Sequence, residues 1–188
     1  MLNIIGIAGS PRRRGNSTTL LQQVLQGAQD KGAEGQIIFL NDLTFRGCQA
    51  CDSCIHTGKC SVEDELTPYY QDLREANIWV LASPIYYDSF SGQAKLFFDR
   101  CRCFSMDQGR LEGKRRAAII VTYEDRPRDD YQEVTQRFAN YFSWFGDFGE
   151  VKMMVESRLG PADAASKRPD LLEKAYDLGQ QLVSEMIA

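Results

Sequence analysis

Short apolar runs alternate along this chain with longer segments of helical periodicity. The runs are Leu2 to Ala8, Gln36 to Leu40, Ile78 to Ser83, Ala117 to Thr122 and a weaker one near Val151 to Val155. Each is short and mostly apolar, as a strand covered on both faces must be. Between them, apolar residues recur three and four apart. Leu20, Leu21, Val24, Leu25 and Ala28 form one stripe, Ala94, Phe97, Phe98 and Cys101 another. Val134, Phe138, Tyr141, Phe142 and Phe145 form a third, and Leu171, Ala175, Leu178 and Leu182 a fourth. Leu66, Tyr69, Tyr70 and Leu73 mark a shorter helix. Five strands alternating with five helices predict a doubly wound, five-stranded parallel sheet with helices on both faces and ligands at the carboxyl ends of the strands. The aromatic stripes read as core packing. The polar, Gly/Pro-marked stretches 104–114 and 156–169 read as surface loops.

Composition narrows the class. A chain of 188 residues fits one domain, 1–188, able to bury roughly 70% of its extended surface in one core. A formal charge of −4 and a pI near 5.1 exclude the basic footprint of a nucleic-acid binder. No run approaches the ~18 apolar residues of a membrane span. Met1 leads almost directly into the first strand, without a positively charged start or a small-residue cleavage site, so neither export nor organelle targeting is expected. The cytoplasm is the expected compartment. Thiols stay reduced there, so the six cysteines read as metal ligands, redox groups or core fillers rather than a disulfide framework.

The first loop carries chemistry. Behind the first strand stands "GSPRRRGNS". Gly6, Gly9 and Gly15 have the wrong spacing for a dinucleotide fingerprint, and Gly15-Asn16-Ser17 lacks the lysine of a P-loop. What remains is a hydroxyl-rich loop entering a helix near Ser17. Backbone N–H groups there, the hydroxyls of Ser10, Ser17 and Thr18, and an arginine suit a terminal phosphate monoester. The alternative is an ordinary strand-to-helix turn with a Ser cap and solvated arginines.

"GSPRRRGNS" followed by "SPIYYDSFSGQAKLFFDR" resembles the NADPH-dependent FMN reductase branch of the flavodoxin-like flavoproteins, over roughly residues 1–103. The resemblance implies an FMN whose phosphate sits among Ser10, Arg12, Asn16, Ser17 and Thr18. Its ring would lie against Pro84, Ile85 and Tyr86, with Tyr86 or Tyr87 stacking or hydrogen-bonding and the backbone around Ser91 and Gly92 completing the wall. It also implies NAD(P)H as electron donor and a homodimer or homotetramer. Lys95, Asp99 and Arg100 on the following helix read as structural support. The third loop, "VTYEDRPRDD", departs from the Thr-x-Gly-Gly turn common in relatives, which bears on contacts at Thr122 and Tyr123.

The stretch 41–64 reads as a cysteine-rich loop inserted after the second strand, with Cys48, Cys51, Cys54 and Cys60 spaced C-x2-C-x2-C-x5-C. The first three resemble the compact run of bacterial ferredoxins. The fourth follows five residues rather than three and precedes Ser61, not proline. The spacing is similar to that of iron-sulfur flavoproteins within the same reductase family, which implies a [4Fe-4S] cluster on these four thiols. Zinc, and free or disulfide-switching thiols, are the alternatives. Cys101 falls on an apolar stripe and reads as a core thiol; Cys103, between basic and aromatic neighbours, reads as the more reactive one. The single histidine, His56, supports no Ser/His/Asp arrangement. The expected function is electron transfer from NAD(P)H through FMN, with the cluster as relay, to an acceptor such as a ferredoxin-like protein. An electron carrier or redox sensor without nicotinamide turnover is one alternative. A non-flavin dehydrogenase using Asp42 for a ribose hydroxyl is another.

Overall fold

The computed structural model describes residues 1–127 and 129–188. Five parallel strands form its centre: β1 (Leu2–Ala8), β2 (Ala33–Phe39), β3 (Ile78–Tyr86), β6 (Arg116–Thr122) and β8 (Lys152–Glu156), in the order β2-β1-β3-β6-β8. This is the strand order of a flavodoxin-like sheet, with its switch point between β1 and β3. β2 starts at Ala33, three residues before the apolar run. Glu34, Gly35 and Gln36 sit on a sheet edge, where one face is exposed and hydrophobicity is not required.

Strand pleating divides the core in two, because alternate residues face opposite sides. Ile4, Ala8, Ile78, Val80, Ala82, Ala118 and Ile120 face α1 (Asn16–Asp30) and α6 (Pro169–Ile187). These two helices touch closely. A Cβ on Gly179 would lie 2.0 Å from the Val24 carbonyl oxygen, so only glycine permits the crossing. Ile5, Ile7, Trp79, Leu81, Ala117, Ile119 and Val121 face the other side. There they meet α3 (Tyr69–Glu75), α4 (Gly92–Arg100) and α5 (Asp129–Phe145). The aromatic stripes are core, as their periodicity predicts. Trp79 packs edge-on against Phe104, Phe142 and Phe148 and donates its indole N–H to the Leu73 carbonyl.

Among the described residues the sheet counts six strands where the pattern predicts five. The sixth, β4 (Ser89–Phe90), folds back antiparallel on the end of β3, pairing Ile85 with Phe90 and Tyr86 with Ser89. Its two-residue turn holds Tyr87 at φ 47° and Asp88 at φ 58°. Such turns normally announce themselves through Asn-Gly or Asp-Gly; Tyr-Asp carries no such signal. The stretches read as surface loops are also partly interior. Phe104 and Leu111 are buried, the short strands β5 (Leu111–Lys114) and β7 (Gly146–Asp147) pair, and Leu159 and Ala165 anchor the segment after β8. Single apolar residues in polar surroundings do this without any periodic trace.

Candidate functional site

Three loops leave the carboxyl ends of β1, β3 and β6 along one sheet edge. In the first, Ser10, Ser17 and Thr18 are buried while Arg12, Arg13 and Arg14 are exposed. Arg12 donates its backbone N–H to Ser10 Oγ at 3.1 Å, and Thr18 Oγ1 donates to the Arg12 carbonyl at 3.1 Å, so the loop curls over the start of α1. Gly15 is the N-cap and supplies no side-chain cap. The first-turn N–H groups of α1 therefore face out with no intrahelical acceptor, an arrangement suited to an anion. Asn16 is used differently from a ligand side chain. Its amide donates to the Leu159 and Pro161 carbonyls, both at 2.8 Å, and its oxygen accepts from Ala165 N–H at 2.9 Å. That tethers the segment after β8 to the first loop. Arg13 pairs with Asp42 and covers the Phe39 ring, so Asp42 is already engaged.

The second loop is the β3–β4 hairpin. Pro84 and Ile85 are half-buried, Tyr86 is exposed, and Tyr87 at its tip is fully exposed. Phe90 pins the hairpin by stacking on Phe138 at 3.8 Å. Ser91 is buried and ties three elements together. Its hydroxyl donates to the Gly9 carbonyl at 2.6 Å and accepts from Ala94 N–H at 3.2 Å as the cap of α4, while its N–H donates to Ser83 Oγ at 3.0 Å. Gly92 follows, exposed, as the first residue of α4. Ser91→Ala removes the cap and orphans a buried carbonyl. It is expected to destabilise the fold by on the order of 2 kcal/mol, read as a lowered urea midpoint. In the third loop Thr122 and Tyr123 are buried, with Tyr123 N–H on the Glu156 carbonyl and Tyr123 carbonyl on Leu159 N–H.

The cysteine loop leaves the same edge after β2 and contains one short helix, α2 (Ser53–Thr57). Cys48, Cys51, Cys54 and Cys60 all line one small pocket, together with Arg100, Arg102 and Cys103. Cys48 and Cys51 are exposed, Cys60 is half-buried and Cys54 is buried. Among the described residues, no three His, Cys, Asp or Glu side chains close on a single ion. A cubane spreads its four thiolates over four irons and asks for a pocket lined by thiols rather than a point of convergence. The donor set, four cysteines around one hollow, fits such a group. A hydrogen bond with the Ser61 hydroxyl at 3.2 Å, and the Ser53 N–H, hold the Cys51 thiol below its ordinary value. Burial pushes Cys54 up. Cys101 lies in the core, as its position on the stripe predicts. Cys103 differs from its expected reactivity. It is buried at the pocket wall, and burial, then the neighbouring Cys60, push its thiol up to about 12. His56 is exposed on α2.

Arginines hold this loop. Arg74 donates to the Gly58 and Gly109 carbonyls at 2.6 and 3.0 Å, and Arg102 pairs with Asp52 at 2.7 Å. Gly58 ends α2 at φ 64°, and a Cβ there would lie 2.3 Å from the Gln108 carbonyl oxygen, so a side chain would push the loop off its seat. Arg100 has a fully buried side chain and pairs with Asp64 at 2.5 Å. The sequence reads Arg100 as structural support, and it is; its burial and its partner Asp64 are what the local pattern does not reveal. Burial pushes the Asp64 carboxyl up, but hydrogen bonds from Arg100, Arg46 N–H and Leu66 N–H outweigh it and hold the group below the carboxylate range. A carboxyl lowered by folding stabilises above its unfolded pKa of about 3.9, and that contribution is lost as pH falls through the folded value. Urea midpoints are therefore expected to fall on acidification below about pH 4, and to fall less steeply in Asp64→Asn. Lys95 and Asp99 form the expected helix-surface pair at 2.6 Å.

Among the described residues, no helix is long and apolar enough to cross a membrane. The sequence profile of the NADPH-dependent FMN reductases matches residues 2–145. An iron-sulfur flavoprotein of Methanocaldococcus jannaschii is 31% identical over 193 aligned residues, covering 99% of this chain and 97% of that one. An iron-sulfur flavoprotein of Methanosarcina thermophila is 29% identical over 120 residues, 64% of this chain and 63% of that one, so the chain spans less than two thirds of its length. Among solved structures, an NAD(P)H:quinone oxidoreductase from Methanothermobacter marburgensis superposes with a TM-score of 0.76 at 14% identity, covering 96% of both chains. An FMN-dependent NADH-azoreductase from Bacillus anthracis, solved with FMN, gives 0.66 at 15% identity over 99% of both. At such identities the likeness speaks for the fold.

Proposed function

The chain belongs to the NADPH-dependent FMN reductase family and is thus an FMN-dependent oxidoreductase; from that premise we propose that it passes electrons from NAD(P)H through FMN to a [4Fe-4S] cluster on Cys48, Cys51, Cys54 and Cys60, and on to a one-electron acceptor such as a ferredoxin-like protein. The observation that carries the reading is the gathering of all four thiols at one pocket, in a loop rising from the sheet edge that also bears the phosphate-type loop. The relatives named iron-sulfur flavoproteins support it.

Bound FMN supplies two-electron exchange with a nicotinamide and one-electron exchange with iron. The protein's part is binding, orientation and exclusion of water. The hydroxyls of Ser10 and Ser17 with the first-turn N–H groups of α1, that of Thr18 included, would hold the phosphate, the Thr18 hydroxyl braces the loop on the Arg12 carbonyl, and Arg12 adds charge from the surface. The hairpin through Pro84, Ile85 and Tyr86, braced by Ser91, forms the wall for the ring, with Tyr87 exposed at its tip and Thr122 at the neighbouring strand end. Helix α4 links the two sites. Its first residues are fixed to the phosphate loop through Ser91, and its last, Arg100, to the cysteine loop. Nine residues span about 13 Å. Cys48 and Cys51 are exposed, so an external acceptor reaches the thiol pocket without any opening of the fold. A homodimer or homotetramer in the cytoplasm is proposed with this role.

Anaerobic stopped-flow mixing with NADH or NADPH tests it. The flavin band near 450 nm is expected to bleach within a turnover time, typically well under a second, with cluster absorbance falling after it. A flavin left oxidised by excess of both nucleotides, yet reduced by ferredoxin, would make the protein an electron carrier instead.

A further inference from the structure

The four cysteines sit on a stretch with little regular structure. It contains one five-residue helix, and Ala50 and Asp52 hold left-handed φ values of 51° and 58° that L-residues disfavour. Nothing in such a segment keeps four thiols together by itself. Arg74 and Arg102 hold its middle, and what closes its base comes from α4. Arg100 directs every N–H of its guanidinium to the two ends of the loop and the helix beneath. Nη1 donates to the Arg46 carbonyl at 2.8 Å and to Asp64 Oδ2 at 2.5 Å. Nη2 donates to the Val62 carbonyl at 3.0 Å and Asp64 Oδ1 at 3.3 Å, and Nε to Tyr70 OH at 3.1 Å. Asp64 completes the ring by accepting the N–H groups of Arg46 and Leu66 at 3.2 and 3.1 Å. Residues 46 and 62–64 bracket all four cysteines, so the clasp closes the loop at its base. The Arg100 side chain also lines the thiol pocket.

Resting on the cluster reading above, we infer that Arg100, clasped to Asp64, is a positioning residue that pre-forms the thiol pocket before any iron is bound. Metal loops usually order only as the metal arrives, because repelling or solvated ligands have no other reason to assemble. Here the ordering contacts are made by the protein alone. The planar fork is essential. Lysine offers three donors on one atom and cannot span two carbonyls and a carboxylate.

The test uses the full chain made cluster-free with a chelator under argon, and FMN content reports that the flavin fold is intact. In Arg100→Lys, a thiol reagent is expected to label Cys54, now buried, roughly tenfold faster than in the parent, while Cys101 on the same side of the sheet keeps its rate. Anaerobic reconstitution should then leave iron per FMN lowered by a factor on the order of ten, the usual scale for losing an outer partner of a metal ligand, with a shifted electron paramagnetic resonance signal from the residual cluster. General destabilisation would speed both thiols alike and would overturn the assignment, as would parent-like labelling of Cys54. Where Arg100→Lys fails to hold FMN, Asp64→Asn is read in the same way, with the same outcomes. A parent that takes up no iron refutes the cluster reading alone, because the labelling ratio still decides the clasp.

Discussion

Replacing Ser17 with alanine and Arg12 with glutamate together is expected to weaken FMN binding at least a hundredfold. Ser17 is buried at the start of α1, where Gly15 leaves the helix end uncapped by any side chain. Arg12 stands exposed on the lip of the same loop. With the phosphate seated as proposed, the alanine removes one of its donors and the glutamate sets a repelling charge beside a dianion. Each charged hydrogen bond is worth about 1.5–3 kcal/mol, so their joint loss exceeds the ~2.7 kcal/mol of a hundredfold change. Fluorescence titration of the apoprotein measures it, since flavin emission is quenched on binding. Riboflavin, which lacks the phosphate, should bind the parent as poorly as FMN binds the double variant. Unchanged FMN affinity would remove the phosphate from this loop.

The second large effect concerns the cysteine loop. Cys54→Ser is expected to cut iron and sulfide on the order of tenfold while leaving FMN content close to that of the parent, because a serine alkoxide is a poor replacement for thiolate. The separation of effects follows from the structure. Cys54 lies on α2, in a loop clasped at Arg100, the last residue of α4, whereas the first loop is held by Ser10, Thr18 and Asn16 and meets α4 only at its other end, through Ser91. Inductively coupled plasma analysis and flavin absorbance on the same sample provide both numbers. Full iron retention would free Cys54 from ligand duty. Simultaneous loss of FMN would mean that the two sites share one folding unit.

Much of this architecture is legible in the chain because it follows from periodicity. Strands covered on both faces must be apolar throughout, so β1, β3 and β6 stand out, and Phe97, Phe98, Phe138 and Phe142 repeat at the spacing of a helix face. The edge strand β2 is less visible, since Glu34 and Gln36 answer to solvent on one side. The hairpin at Tyr87 and Asp88 left no trace, because its left-handed turn is built from residues that do not advertise one. Motif spacing brings out the first loop and the four thiols, yet it cannot say which side chains bind a ligand and which hold the loops. Asn16 belongs to the motif and spends its amide and oxygen on the segment after β8. Arg100 reads as structural support, but nothing in its spacing shows that it is wholly interior. Such roles depend on partners distant in sequence, Leu159 for one and Arg46, Val62 and Asp64 for the other, which local pattern does not encode.

One chain is expected to carry both FMN and a four-iron cluster. Protein purified without oxygen and assayed for FMN, iron and acid-labile sulfide tests this most directly. The expected result is about one FMN with iron and sulfide near four each per chain, and a brown solution whose absorbance near 400 nm falls on reduction. A yellow protein that holds FMN but only zinc, or no metal, after anaerobic reconstitution would contradict it.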